Sequence, residues 1–124
     1  MKTFLLGLLV VSLFGCSMDH EKVTAVTFDF ANDSIHPLNW AKFVIGDREL
    51  SAGILGPGIS KTTLDVPWSK MPDQAKVTFI DDKTRQSYAI IVSLVELNKR
   101  VQAGSCKTVT LRIVDYDKAE ISCE

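Results

Sequence analysis

Thr108-Val109-Thr110-Leu111-Arg112-Ile113 alternates polar and apolar side chains without a break. In an extended chain successive side chains point to opposite faces. Val109, Leu111 and Ile113 therefore share one face, and Thr108, Thr110 and Arg112 share the other. This period of two predicts a strand lying on a core with one side in water. The same pattern recurs along the chain. Val26, Phe28 and Phe30 alternate with Thr27 and Asp29, and Ala75, Val77 and Phe79 with Lys76 and Thr78. Thr62, Leu64 and Val66 alternate with Lys61, Thr63 and Asp65, and Ala119, Ile121 and Cys123 carry the pattern to the carboxyl end.

Turn residues separate these runs. Gly46-Asp47, Asp81-Asp82-Lys83-Thr84 and Asp115-Tyr116-Asp117 predict hairpin connections, the first because glycine reaches positive φ without cost. Residues 53–58 and 68–73 predict longer loops punctuated by Pro57, Pro67 and Pro72. Tyr88-Ala89-Ile90-Ile91-Val92-Ser93-Leu94-Val95-Glu96-Leu97 is apolar on both alternating faces. Its β-branched content predicts a central strand covered on both sides, with a buried helix as the other structure such a run fits. Seven or so short strands in about a hundred residues read as an all-β protein, an antiparallel β-sandwich with an immunoglobulin-like layout, over residues 22–124. The Cys…Trp…Cys spacing of true immunoglobulin domains is missing.

The amino terminus has a different character. Lys2 precedes an apolar stretch from Phe4 to Phe14, broken only by Gly7 and Ser12, which closes on Gly15-Cys16. That is the layout of an export signal, and the run is shorter than the roughly 18 to 20 residues a spanning helix needs. Residues 1–15 are expected to be cleaved as a signal peptide. Leu13-Phe14-Gly15-Cys16 resembles the lipobox of bacterial lipoproteins. The resemblance implies that the Cys16 sulfur takes a diacylglycerol and that cleavage falls before it. Ser17, rather than Asp, follows the cysteine, which by the family's rule implies the outer membrane, facing the periplasm. Residues 16–21 then form the acylated cysteine and a polar linker. Five extended residues reach at most about 18 Å, so the domain is expected close to the membrane. His20 in that linker reads as solvated.

Charge and composition narrow the functional classes. With 46% hydrophobic and 23% charged residues the chain is an ordinary globular protein. Without Lys2 the mature part keeps 13 basic against 15 acidic side chains. Lys99-Arg100 is its only basic pair, so nucleic acid is not an expected partner. Cys106 and Cys123 remain once Cys16 is acylated, and in an oxidising compartment they are expected to form a disulfide. The strand pattern places them on opposite faces unless Gly104-Ser105 lets the chain bend back. Two thiols without a nearby histidine fall short of a four-ligand zinc site, so no metal or cofactor is expected.

Other constellations are weak. The glycine spacing of Gly53-Ile54-Leu55-Gly56-Pro57-Gly58 suggests a phosphate loop, but Ile59 stands where lysine belongs and a strand follows. Ser34, His36 and Asp33 offer the residue types of a hydrolytic triad, with adjacency alone to recommend them. Asp81 with Asp82, and Asp115 with Asp117, could ligate calcium, though such residues more commonly form turns. Trp40 and Trp68 fit either a binding surface or a core, the core being the better expectation.

Asn32-Asp33-Ser34-Ile35, Phe43-Val44-Ile45-Gly46, and Gly56-Pro57-Gly58 with Lys61 together resemble a small family of uncharacterised bacterial lipoproteins. Val66-Pro67-Trp68 and Met71-Pro72 before Val77-Thr78-Phe79 extend the likeness, with Thr62 and Thr63 where that family carries cysteines. Some of its members lie beside type VI secretion lipase effectors. The resemblance implies an immunity or accessory protein that binds a toxic enzyme acting on the envelope. The expected function is therefore a membrane-anchored, non-enzymatic protein-binding module with a protein partner. The alternatives are a small-ligand binder or enzyme with a site near His36, or a purely structural envelope role.

Overall fold

A computed structural model describes residues 24–69 and 71–123. The expected signal peptide, Cys16 and the 16–21 linker lie outside the described residues. The strands are β1 (Thr24–Asn32), β2 (Leu38–Ile45), β3 (Arg48–Leu55), β4 (Ser60–Trp68), β5 (Gln74–Asp81), β6 (Ser87–Ser93), β7 (Thr108–Asp115) and β8 (Lys118–Cys123). One helix, α1 (Val95–Gln102), separates β6 from β7. The strands form two sheets of four, in the orders β4-β1-β7-β8 and β3-β2-β5-β6.

The two sheets make the expected all-β sandwich. Five strand pairings are antiparallel, and β1 runs parallel to β7. The likeness to immunoglobulin domains extends to the two-layer architecture, while the strand order is the chain's own. The alternating residues meet between the layers: Val26, Phe28, Phe30, Val109, Leu111 and Ile113 from one sheet against Phe43, Val77 and Phe79 from the other, all buried. Phe28 sits at the centre, its ring centroid 5.0 Å from both Phe30 and Phe43. Aromatic pairs at such spacing contribute beyond the area they bury.

Three expectations need correction. The first concerns β4. Between the pairs Val26–Val66 and Phe28–Thr63, β1 advances two residues and β4 three. This β-bulge, with Asp65 at φ 55°, shifts the alternation. Val66 and Trp68 face the core, while Thr62 is exposed and donates to Asp29 Oδ1 at 2.6 Å.

The second concerns the 88–97 run, which is neither a central strand nor a single element. β6 ends at Ser93 and lies at the sheet's edge. Leu94 donates its N–H to the Asp73 carbonyl at 2.6 Å, and α1 starts after it. Ile90 and Val92 face the core, Ile91 is 57% exposed, and Leu97 and Val101 bury the helix one turn apart. Glu96 in the first turn and Lys99 and Arg100 in the last match the helix dipole.

The third concerns loop bounds. Gly53 lies inside β3 at φ 65°, opposite Ala41 where the β2–β3 register shifts, so only residues 56–59 form the loop. Pro67 and Trp68 close β4, an edge strand, where a missing N–H is tolerated. The three predicted hairpins link β2 to β3, β5 to β6 and β7 to β8.

Cys106 and Cys123 are joined as a disulfide, with Cα atoms 5.5 Å apart. The parity problem disappears because Cys106 precedes β7 instead of belonging to it. Gly104, at φ 76°, turns the chain back after α1. Among the described residues no helix is long and apolar enough to cross a membrane.

Candidate functional site

Loops 33–37, 56–59, 82–86 and 116–117 gather at the end of the sandwich where β1 finishes. Asn32 ties two of them together. Its Nδ2 donates to the His36 and Leu55 carbonyls, both at 2.8 Å. Its Oδ1 accepts from the Ser34 N–H at 3.0 Å and the Ser34 hydroxyl at 2.6 Å. Its backbone exchanges hydrogen bonds with the 56–59 loop, from Gly58 N–H and to the Ile59 carbonyl. Asn32 is fully buried, so these bonds replace the water it lost.

The candidate triad does not assemble. The Ser34 hydroxyl is engaged by Asn32 and accepts from the His36 backbone N–H at 3.2 Å. Asp33 pairs with Arg112 at 3.4 Å. The His36 ring turns elsewhere, stacking on Tyr116 with centroids 3.9 Å apart, and its Nε2 lies 3.3 Å from Asp115 Oδ1. Tyr116 stacks in turn on Tyr88 at 4.1 Å, and Tyr88 on Phe79 at 5.7 Å. A four-ring column thus runs from the loops into the core and joins the two sheets at this corner.

The acidic turn residues act as turn formers. Asp81, buried, accepts from the Lys83 and Thr84 N–H groups at 2.8 and 3.0 Å, and the Tyr116 hydroxyl donates to its other oxygen. Asp115 Oδ1 accepts from the Tyr116 N–H at 2.8 Å. Among the described residues no three His, Cys, Asp or Glu side chains are grouped to hold a metal ion. The glycines of 53–58 lead into β4, so no helix N-terminus aims at a phosphate there.

The Tyr116 hydroxyl and the turn N–H groups hold the Asp81 carboxyl below its ordinary range, and the same contact, aided by burial, pushes the Tyr116 phenol up to about 12. The signs follow from linkage. The Asp81 contribution to stability is present above the ordinary carboxylate pKa of 3.8 and is lost as pH falls through the lowered value. The Tyr116 contribution is fully present below 10.0 and is lost as pH rises to about 12. Tyr116→Phe is therefore expected to flatten the alkaline limb of stability against pH and remove one late step from the phenolate absorbance titration. Loss of an ordinary step near 10.0, in place of the late one, would show that the hydroxyl is free of Asp81.

Beside this end lies a solvent-open cleft of about 520 Å³, lined by Trp40, Lys42, Thr78, Ile80, Arg85 and Ala89 among others. Trp68 is in the core as expected. Trp40 is 58% exposed, contrary to the expectation of a core role. It sits where β2 shifts register against both neighbours, at φ 54°, with its N–H held by Asn39 Oδ1 at 2.7 Å. A bulky residue in the left-handed region costs about 1–3 kcal/mol and persists only where its surroundings fix it. Lys42 Nζ lies 5.7 Å from the Trp40 ring centroid and 2.9 Å from Glu49 Oε1. No sequence signal for this conformation precedes Trp40, because a bulge leaves the local residue types ordinary.

Comparison of the chain with protein-family models, with curated proteins and with solved structures yields no match.

Proposed function

We propose that the chain is a lipoprotein of the cell envelope, anchored through Cys16, whose sandwich is a periplasmic protein-binding module working through its tether-distal end. One observation carries this reading. Six large apolar side chains are exposed among the described residues, and four of them, Ile35, Trp40, Ile54 and Ile59, lie at the end where β1 finishes. A cluster of exposed apolar groups at one end of a small domain marks an interaction site, and tryptophan is the residue most enriched at interface hot spots.

The placement suits a tether. The chain enters the fold at Thr24, and β1 carries it nine residues to the opposite end, about 30 Å at ~3.3 Å per residue. Anchored before Thr24, the domain offers its apolar end away from the lipid surface. A Cys106–Cys123 bond fits the oxidising periplasm. The lipoprotein resemblance supplies a partner class, a toxic enzyme directed at the envelope, with this chain as its immunity or accessory protein.

The test is protection of cells against an envelope lipase encoded by a neighbouring gene. Trp40→Ala is expected to weaken lipase binding about thirtyfold, the scale of a hot spot of ~2 kcal/mol, and to abolish protection. His36→Ala, which removes one stacked ring, is expected to protect like the wild type. The opposite pattern, with fold retained, would replace the binding module by an enzyme or small-ligand site at His36.

A further inference from the structure

Four strands end the two sheets, and three of them are blunted. β3 carries Arg48, Glu49 and the positive-φ Gly53. β4 carries Lys61, Asp65 at its bulge and Pro67, and the short β8 carries Lys118 and Glu120. Charges, proline and bulges are the devices that keep an edge from pairing with another chain. β6 has none of them. Ser87-Tyr88-Ala89-Ile90-Ile91-Val92-Ser93 contains no charge, proline or glycine, and it pairs with β5 in unbroken register over its whole length. Its outer row of N–H and C=O groups hydrogen-bonds to no further strand, although β8 of the other sheet packs nearby. Ile91 stands 57% exposed on its solvent face.

We infer that β6 is a dimerisation strand, pairing antiparallel with β6 of a second copy about a two-fold axis through Ile90. The occupant follows from self-complementarity. Antiparallel pairing about Ile90 sets Ala89 opposite the second copy's Ile91, a small residue against a large one, twice. It sets Tyr88 opposite Val92 on the core side and Ser87 opposite Ser93 at the ends. A two-fold contact sets each position against its mirror, so a charged strand would meet its own charge or depend on an opposite one. This strand meets neither problem.

The charges beyond its ends complement each other. Arg85 lies two residues before β6 and Glu96 three residues after it, both exposed, with side chains at 66% and 83% relative exposure. The two-fold axis brings the end of β6 that follows Arg85 to the end of the other copy's β6 that precedes Glu96. Their existing partners are close in sequence, Asp82 at 3.0 Å and Lys99 at 3.5 Å. Exposed pairs of that kind are weak and give way easily. Pairing through β6 also joins the two four-stranded sheets into one continuous sheet of eight, covers the Arg85 and Ala89 side of the Trp40 cleft, and leaves the apolar loop end open.

Sedimentation equilibrium of the purified full chain in density-matched detergent tests the inference. Wild type is expected to be a dimer. Ile91→Lys, on an exposed side chain, weakens self-association at least about tenfold, because the interface holds the substitution twice. Ile54→Lys, the same change on exposed β3, leaves the dimer intact. Arg85→Glu and Glu96→Arg each weaken it, and the double variant restores it. Far-UV circular dichroism confirms that each variant keeps the sandwich. A monomeric wild type, or a dimer indifferent to Ile91→Lys, overturns the inference. Failure of the charge swap to restore the dimer overturns the two-fold register. Protection from the lipase reads the Trp40 end separately, so either proposal can fail alone.

Discussion

Asn32→Leu is expected to lower the unfolding free energy by about 4 kcal/mol, with ~1–3 kcal/mol for each buried polar group left unpaired. Leucine is close to asparagine in shape, so the loss measures hydrogen bonds more than volume. It removes the side-chain donor to the buried Leu55 carbonyl and the half-buried His36 carbonyl, and leaves the Ser34 hydroxyl only its longer 3.5 Å contact to the His36 carbonyl. The backbone bonds to Gly58 and Ile59 survive the substitution, which limits the damage to the side chain's share. Urea unfolding, with the midpoint shift read at constant slope, measures it. Asp33→Ala, which breaks only the half-exposed pair with Arg112, is expected to cost under about 1 kcal/mol. If both substitutions cost the same, Asn32 is not the hub of this end.

Cys16→Ala is expected to abolish anchoring outright. The thiol is the sole acceptor the lipobox reading provides, and the lipoprotein peptidase it implies cleaves only after acylation. Each buried methylene contributes about 0.8 kcal/mol, and stable anchoring takes at least two chains, so loss of the acceptor leaves no partial state. The variant is expected as an uncleaved precursor that incorporates no labelled fatty acid. The sandwich itself should be untouched, because Cys16 lies outside the described residues and Cys106 and Cys123 pair with each other. A cleaved, membrane-bound, unacylated product would end the lipoprotein reading.

The fold was legible wherever one face of a strand was wet. In β1, β5 and β7 the alternation names the core residues correctly, because a half-buried strand writes its burial into the period of two. It failed in β4, where the bulge breaks the alternation between Thr62 and Val66, leaving Thr62 exposed, and nothing in the composition marks it. It failed again at 88–97, where the apolar outer face of β6 reads as burial although Ile91 is exposed. Apolarity reports a residue's preference for cover and not whether this chain supplies it. The three hairpins and the role of Asp81 and Asp115 as turn formers were legible because their chemistry is local. The site was less so. Asn32, the ring column and the Trp40 cleft arise from loops and strands far apart in sequence, and Trp40 was expected inside. His36 and Ser34 are neighbours at this end, yet the structure points their functional atoms at different partners.

The parallel pairing of β1 with β7 also sets a timetable. Thr27 and Thr108 lie side by side, 81 positions apart in a chain that is read out from its amino end. β1 occupies the middle of its sheet, between β4 and β7, so the first strand to emerge waits for nearly the last before its second flank is filled. Non-local pairing of this kind raises contact order and slows folding. The β2–β3 and β5–β6 hairpins can form early, since each closes over a short loop, but the first sheet cannot be completed until residues 108–115 are out. A chain with this wiring stays open for most of its emergence and locks only when its last two strands, β7 and β8, arrive.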